Sequence, residues 1–469
     1  MREYGIYLSW ILIYNLFTKM PKIEPFKRKI YDGLLEWKNR NGECAILIEG
    51  ARRVGKSTIV EEFARREYRS YLMIDFTRPL EGTIETFERF YHDVDRLISN
   101  LGILYGVELF DRESLIIFDE VQHYPRARQL IKYLVLNGRY DYAETGSLIS
   151  IKKNVEKIQI PSEEHHIDMY PMDFEEFLWA QGDEVTVPHM RKCFEKRMPL
   201  GDSVHSLFME RYKTYMMVGG MPQAVDAYRR THSVAAAEAK KREILTLYRN
   251  DMGKIPVGNG TKARFIFDLL PSMLSLRKKT FRPGMVRESA DTSDYMDSIV
   301  WLKDAGICNI CCSNSDPNIA LNLSLNPISL KCYAADTGLL MTLSFDMNIA
   351  SDKEVYLAFL KGRLSVNEGM FFENMVGQEL KAAGHKLRFS EFYVKGDKKH
   401  PYEVDFVLSM GRKITPIEVK SGMSSRHRSL DAFMEKYHTR ISEAFVIHGK
   451  DLRVDGKITY IPIYMTMFL

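Results

Sequence analysis

Ala45-Ile46-Leu47-Ile48-Glu49-Gly50-Ala51-Arg52-Arg53-Val54-Gly55-Lys56-Ser57-Thr58 decides the fold. Its first five residues are a short, mostly apolar run of the kind that forms a buried parallel strand. The rest match G-x-x-x-x-G-K-[ST], and from Lys56 to Glu67 apolar residues recur at helical spacing, at Ile59, Val60 and Phe63. Strand, glycine-rich loop and helix thus come in the order that holding a phosphate chain requires. Gly50 and Gly55 let backbone N–H groups turn inward without Cβ clashes, with Ala51, Arg52, Arg53 and Val54 spanning the loop. Lys56 is placed to pair with β/γ-phosphate charge, Ser57 to complete a Mg²⁺ shell, and Thr58 to follow in the first helical turn.

Outward from this loop, Ser114-Leu115-Ile116-Ile117-Phe118-Asp119-Glu120 is an apolar strand ending in two carboxylates. Open α/β sheets bind ligands at the carboxyl ends of parallel strands. Asp119 is the expected Mg²⁺ ligand and Glu120 the group that orients or deprotonates an attacking water. Tyr71–Phe76 reads as a further strand and about 84–101 as helical; another helix is expected near 127–136. The strand ending in Glu144-Thr145-Gly146-Ser147 offers Thr145 and Ser147 as polar residues facing a γ-phosphate. His166–Tyr170 would be the fifth strand; adjacent His165 and His166 point to opposite faces and read as structural, not as a metal pair.

The C-terminal region carries a second constellation. Asn367–Leu380 reads as an amphipathic helix, Glu403-Val404-Asp405-Phe406-Val407-Leu408 as a strand, and Ile414–Gly422 as its partner after a turn at Gly411. In that partner Glu418 and Lys420 leave the same face. Asp405, Glu418 and Lys420, with Glu373 from the helix (Glu368 as second choice), make a D…E-x-K arrangement of the PD-(D/E)xK nuclease fold. Asp405 and Glu418 suit a hard cation, Mg²⁺ or Mn²⁺, and Lys420 would position or activate a nucleophile. The bland alternative is a solvated strand face.

The 469 residues are 45% hydrophobic and 27% charged, which fits a folded chain of about three domains and excludes a disordered or collagen-like one. A net charge of +4 does not by itself imply a nucleic-acid partner, so the charge must be read locally. Lys381–Arg428 holds eleven Lys/Arg against five Asp/Glu, and Thr261–Arg287 holds seven against one. The second stretch opens a winged-helix pattern, with helices expected to Leu276, around Met285–Ala290 and over Ser293–Ala305. The third of these carries Asp294, Asp297 and Asp304, which would repel DNA phosphates. Six cysteines are too few for a disulfide framework. Cys308, Cys311, Cys312 and Cys332 read as buried thiols of a reduced, cytoplasmic protein rather than a zinc site. The apolar run Tyr4–Phe17 is short of the roughly 20 residues that span a bilayer, so no membrane is expected. Residues 1–20 read as an extension preceding the true start.

From about Met20 onward the chain resembles a family of prokaryotic AAA-type ATP-binding proteins with a C-terminal PD-(D/E)xK-like module. The resemblance is carried by Gly50–Thr58, Asp119-Glu120-Val121-Gln122, Thr145-Gly146-Ser147, Tyr170–Phe177, Gly219-Gly220-Met221-Pro222, Asp336-Thr337-Gly338-Leu339, Phe372-Glu373-Asn374, Glu403–Phe406 and Ile417–Gly422. It implies an α/β multidomain architecture: a P-loop core with a parallel sheet (21–172), a helical lid (173–255), a winged-helix-like middle (256–345) and a nuclease-like α/β module (346–469). It implies ATP and Mg²⁺ as cofactors, with Mn²⁺ a candidate at the C-terminal site, and hydrolysis of ATP. DNA, a protein partner and self-association are the candidate partners. One departure stands out: similar proteins carry a Gly-Arg pair before the Tyr-Pro segment, whereas Ile149–Glu164 has Lys152, Lys153 and Lys157 and no arginine. Two readings follow, an ATPase that controls a nuclease-like module, and a nucleotide-switched DNA- or protein-binding protein that cuts nothing.

Overall fold

The computed structural model describes residues 25–147, 161–255, 258–287, 290–345, 349–361, 368–394, 397–421 and 427–469. The expected start near Met20 and most of the arginine-free segment lie outside them.

Five parallel strands form the first sheet: β1 (Ala45–Gly50), β2 (Ser70–Asp75), β3 (Ser114–Asp119), β4 (Asp141–Gly146) and β5 (Glu164–Met169). Their order is β2-β3-β4-β1-β5. β3 and β4 are buried throughout and β1 up to Gly50, as expected of a sheet covered on both faces. Helix α1 (Lys56–Glu67) follows β1 and packs Ile59, Val60, Phe63 and Ala64 inward. The order places β4 between the strand that feeds the phosphate loop and the strand that ends at Asp119. The expected helix over 84–101 is two, Thr83–Arg89 and Val94–Tyr105, with Asp93 capping the second through the Arg96 N–H.

The middle is helical as expected, with Phe174–Ala180, Thr186–Glu195, Asp202–Val218, α2 (Pro222–Thr231) and α3 (Val234–Met252). A helix at Asn259–Ser275, a 3₁₀ turn at Thr292–Tyr295 and α4 (Met296–Asp304) precede an antiparallel hairpin, β6 (Cys308–Asn314) with β7 (Leu325–Ala334). Where a second helix was expected around Met285–Ala290, the described residues show a three-residue 3₁₀ turn, Pro283–Met285, in keeping with the turn preference of Pro283 and Gly284; part of the expected helix lies outside the described residues. The hairpin is not a free wing: β6 also pairs in parallel with β8 (Arg388–Val394), and β9 (Asp397–Val404) completes a sheet of order β7-β6-β8-β9. That sheet crosses residue 345.

Helices α5 (Thr337–Ser344) and α6 (Glu368–Ala382) lead into a third sheet of order β10-β11-β12-β14-β13, from β10 (Phe406–Met410), β11 (Lys413–Val419), β12 (Ala444–His448), β13 (Arg453–Asp455) and β14 (Ile458–Pro462). The strand expected over 403–408 is two strands in different sheets, because the chain bends at Asp405 and changes partner there. Met370 to Leu380 of α6 are all buried, the mark of a helix enclosed on every side rather than an amphipathic surface helix. A continuous apolar core runs from Leu34 through Ile46, Tyr215 and Met375 to Tyr464. Cys308, Cys311 and Cys332 are buried in it as free thiols, their pKa values raised by burial. Among the described residues no group of three or more His, Cys, Asp or Glu is arranged to hold a metal ion, and no helix is long and apolar enough to cross a membrane.

Candidate nucleotide site and C-terminal carboxylate cluster

The phosphate loop is shaped by two close constraints. A Cβ on Gly50 would lie 2.2 Å from the Met169 carbonyl oxygen, so glycine alone lets β1 end against β5; Gly55 adopts φ 100° at the start of α1. Arg53 (φ 74°) and Glu120 (φ 52°) hold left-handed conformations that non-glycine residues rarely take, which concentrates strain at the site. Lys56 is buried and donates to the Gly50 and Ala51 carbonyls, each at 3.0 Å. Burial lowers its pKa, with the charges of Glu120 and Asp119 acting the other way.

The Ser57 hydroxyl donates to Asp119 Oδ1 at 2.7 Å. Thr145, fully buried at the end of β4, donates to the same carboxylate and accepts from the Glu120 N–H at 3.1 Å. The inserted β4 therefore brings Thr145 onto the Asp119 carboxylate and the Glu120 backbone; Ser147 is half-buried beyond the strand. Burial raises the Asp119 carboxyl pKa, and the Thr145 and Ser57 hydrogen bonds oppose it. The Ser57 hydroxyl and Asp119 carboxylate are adjacent hard oxygen donors, a pair that fits Mg²⁺. Gln122 donates to Glu120 and fixes its orientation.

Lys56, Ser57, Asp119 and Glu120 open on a cavity of about 400 Å³, which Arg52, Arg53 and Thr58 also line; Thr145 lies behind them, outside the lining. Its far wall is built from residues that the motif did not indicate: Pro25, Phe26, Arg28, Pro222 and Gln223. Arg28 clasps the loop, donating to the Val54 carbonyl at 2.9 Å and the Tyr170 carbonyl at 2.7 Å. Pro222 and Gln223 open α2, so the Gly219-Gly220 turn is what delivers them; its spacing was the available signal. His166 pairs with Glu164 and Glu49, and those hydrogen bonds raise its pKa to about 9, in keeping with a structural role.

The C-terminal residues also converge, but around a cation of the chain itself. Lys331 of β7, fully buried, reaches Glu403 at 2.6 Å, Glu373 at 3.1 Å and Asp405 at 4.0 Å. Lys279 also pairs with Glu373, and the Tyr333 hydroxyl donates to it at 2.6 Å. Burial would raise the Glu373 carboxyl, but Lys331, Lys279 and Tyr333 together hold it at about 2. Asp405 spends one oxygen on the Val419 N–H at 2.8 Å, and Glu418 is held by Lys420 at 2.6 Å. Glu368 is not needed there; the nearby charge on it is Lys213. Glu373, Asp405, Glu418 and Lys420 thus form one cluster, buried at Glu373 and Glu418 and part-exposed at Asp405 and Lys420, rather than a fully solvated face. Lys331, Lys279 and Lys420 engage these carboxylates without compensating all of them: one Glu418 oxygen is buried with no hydrogen-bond partner, and burial with the neighbouring carboxylates raises the Asp405 and Glu418 carboxyls, so the expected Mg²⁺ or Mn²⁺ would have to share the site with Lys331. Lys331 and Glu403 were missed. A lysine among the apolar residues of Leu330-Lys331-Cys332-Tyr333 was the only hint.

Comparison with known proteins bears on this arrangement. Residues 43–178 match the AAA domain family, 209–351 a domain of unknown function (DUF8612) and 368–466 another (DUF4143). No curated protein matches the chain. Among solved structures, the Walker-type ATPase of Pyrococcus abyssi is 14% identical (TM-score 0.42), with 69% of this chain and 97% of that one covered. Drosophila ORC bound to DNA is 11% identical (TM-score 0.29), covering 68% and 97%, and a protein from Vibrio cholerae is 10% identical (TM-score 0.18), covering 90% and 95%. With the loop at Gly50–Thr58, the Asp119–Glu120 strand end and the match over 43–178 together, the N-terminal part of the chain carries a P-loop site within a region similar to the AAA domain family.

Proposed function

We propose that the chain is an ATP-hydrolysing switch whose nucleotide state governs a C-terminal module that grips a partner and does not cut nucleic acid. In hydrolysis, Glu120 takes a proton from the attacking water, and Lys56 leaves the Gly50 and Ala51 carbonyls to neutralise phosphate charge. Ser57 and Asp119 would hold Mg²⁺, which would supply neutralisation of phosphate charge. Thr145 keeps Asp119 and the Glu120 backbone in register.

The single observation that supports gripping over cutting is Lys331. A metal-dependent phosphodiesterase needs carboxylate oxygens available to a cation. Here Glu373, Glu403 and Asp405 surround a buried ammonium. The basic stretch Lys381–Arg428 supports a nucleic-acid partner for the module.

The test incubates plasmid, linear and single-stranded DNA with Mg²⁺ or Mn²⁺, with and without ATP, for the wild type and Asp405→Ala. The expected result is no cleavage in either, alongside salt-sensitive DNA binding. Metal-dependent cutting by the wild type that Asp405→Ala loses would restore the nuclease reading.

A further inference from the structure

Arg52 stands in the phosphate loop four residues before Lys56 and lines the same cavity as Lys56, Ser57, Asp119 and Glu120. Its guanidinium is anchored outside the loop: Nη1 lies 2.9 Å from both Oδ1 and Oδ2 of Asp251, in the last turn of α3. One turn earlier on the same helix face, the Tyr248 hydroxyl donates to the Arg52 carbonyl at 3.1 Å. Backbone and side chain of one loop residue are therefore held by one helix. The ion pair is exposed, and pairs of that kind contribute little. Asp251 has a second cation in Lys254, also at 2.9 Å, so it is not left uncompensated if Arg52 departs. The charge of Arg52 is felt at Lys56, which it pushes toward the neutral form, so both cations act on the same ground.

Resting on the ATPase reading, we infer that Arg52 is an intrinsic cation for the γ-phosphate, one that exchanges Asp251 for the terminal phosphate when a triphosphate is bound. A phosphate oxyanion makes stronger charge-assisted bonds to a guanidinium than an exposed carboxylate does. During hydrolysis the water oxygen bonds to Pγ and the bond from Pγ to the β–γ bridging oxygen breaks. The leaving phosphate of ADP takes the electron pair, and Arg52 stabilises the charge without giving up a proton. The exchange unties the side-chain half of the α3 anchor only in the triphosphate state. Loss of the γ-phosphate returns Arg52 to Asp251.

The experiment measures affinity for ADP and for a non-hydrolysable ATP analogue by calorimetry, together with turnover, in the wild type, Arg52→Ala, Arg52→Lys and Asp251→Asn. Arg52→Ala is expected to bind ADP as the wild type does, to lose about tenfold of its preference for the triphosphate, and to lose about a hundredfold in kcat. Arg52→Lys is expected to recover part of both. Asp251→Asn, which frees the guanidinium, is expected to strengthen triphosphate binding. A purely structural ion pair would make Arg52→Ala and Asp251→Asn behave alike, and that result overturns the inference, as does an unchanged triphosphate preference in Arg52→Ala. Absence of nucleotide uptake by the wild type would sink the ATPase reading as well, which separates the two failures.

Discussion

Replacing Lys331 with methionine removes the ammonium among Glu373, Glu403 and Asp405 while keeping most of the side-chain volume. Holding the Glu373 carboxyl from its ordinary 4.5 down to about 2 corresponds to about 3 kcal/mol, with Lys331 the largest of the attractive causes. Removing one partner of a buried pair costs a similar 3–5 kcal/mol or so. The pH dependence has a definite sign. A carboxyl held below its ordinary value contributes stability in full above about pH 4.5 and loses it as the pH falls through about 2. In the variant, burial acts without Lys331 and moves the carboxyl upward. The cost is therefore largest near neutrality and shrinks as the pH falls through the carboxylate range. Amide hydrogen exchange over α6 and β7, compared with the wild type at the same pH, reads this directly. At pH 7 the variant is expected to exchange more than a hundredfold faster, and at pH 5 by a visibly smaller factor. Wild-type protection in Lys331→Met at pH 7, or a deficit that does not change with pH, would refute the account of the cluster.

Lys56→Ala is expected to abolish nucleotide uptake in calorimetry with Mg²⁺, since Lys56 is the buried cation of the loop. Glu120→Gln should keep binding but lose turnover by about a hundredfold or more, measured as nucleotide retained without phosphate release. Gly306→Ala would place a Cβ 2.9 Å from the Ala51 backbone nitrogen at φ 67°; nucleotide affinity should fall about tenfold or more, since each tenfold corresponds to about 1.4 kcal/mol. Glu379→Gln tests a carboxyl that burial and the charge of Asp173 raise to about 8. Such a group costs stability as the pH rises from its unfolded value through 8, so the glutamine variant should be more stable than the wild type at pH 8.5, by up to about 5 kcal/mol. That advantage should vanish by pH 4.5 in urea unfolding.

The phosphate loop was legible because Gly50, Gly55, Lys56 and Ser57 act within one turn of chain, so their spacing alone encodes the geometry. Asp119 and Glu120 were legible as an apolar strand with an acidic tip. Strand order is different in kind: nothing local to Asp141–Gly146 says that it inserts between β1 and β3. Thr145 could thus be named beside Ser147 but not preferred. Glu418 and Lys420 were placed on one face by period-two spacing, and they do pair; Lys331 was not named with the acids, because it meets Glu373 across 42 residues and ion pairs at that separation leave no local mark. The same holds for Asp405, where a bend between two sheets looked like an uninterrupted strand. The pairing of the β6–β7 hairpin with β8 lies far along the chain and left no local mark either.

A nucleotide can bias the C-terminal module only if the contacts between them differ in the two states. The apolar core is continuous and close-packed, so it does not deform gradually. Polar seams can exchange partners, and one of them spans the whole distance. Asp336 accepts from the Gly220 N–H at 2.5 Å and caps α5 through the Leu339 N–H at 2.8 Å. Gly220 belongs to the turn that carries Pro222 and Gln223 into the nucleotide cavity. Thr337, next in the chain, donates its N–H to Gln378 of α6 at 2.7 Å, and Gln378 in turn donates to the Tyr215 hydroxyl at 2.9 Å. Glu373 lies five residues before Gln378 on the same helix. A shift of the Gly219–Pro222 turn must therefore either break the bond to Asp336 or carry α5 with it. Because a Cβ on Gly338 would lie 2.5 Å from the Gly219 Cα, the two backbones have no room to slide independently. If the turn carries α5 with it, the shift loads the Thr337–Gln378 bond.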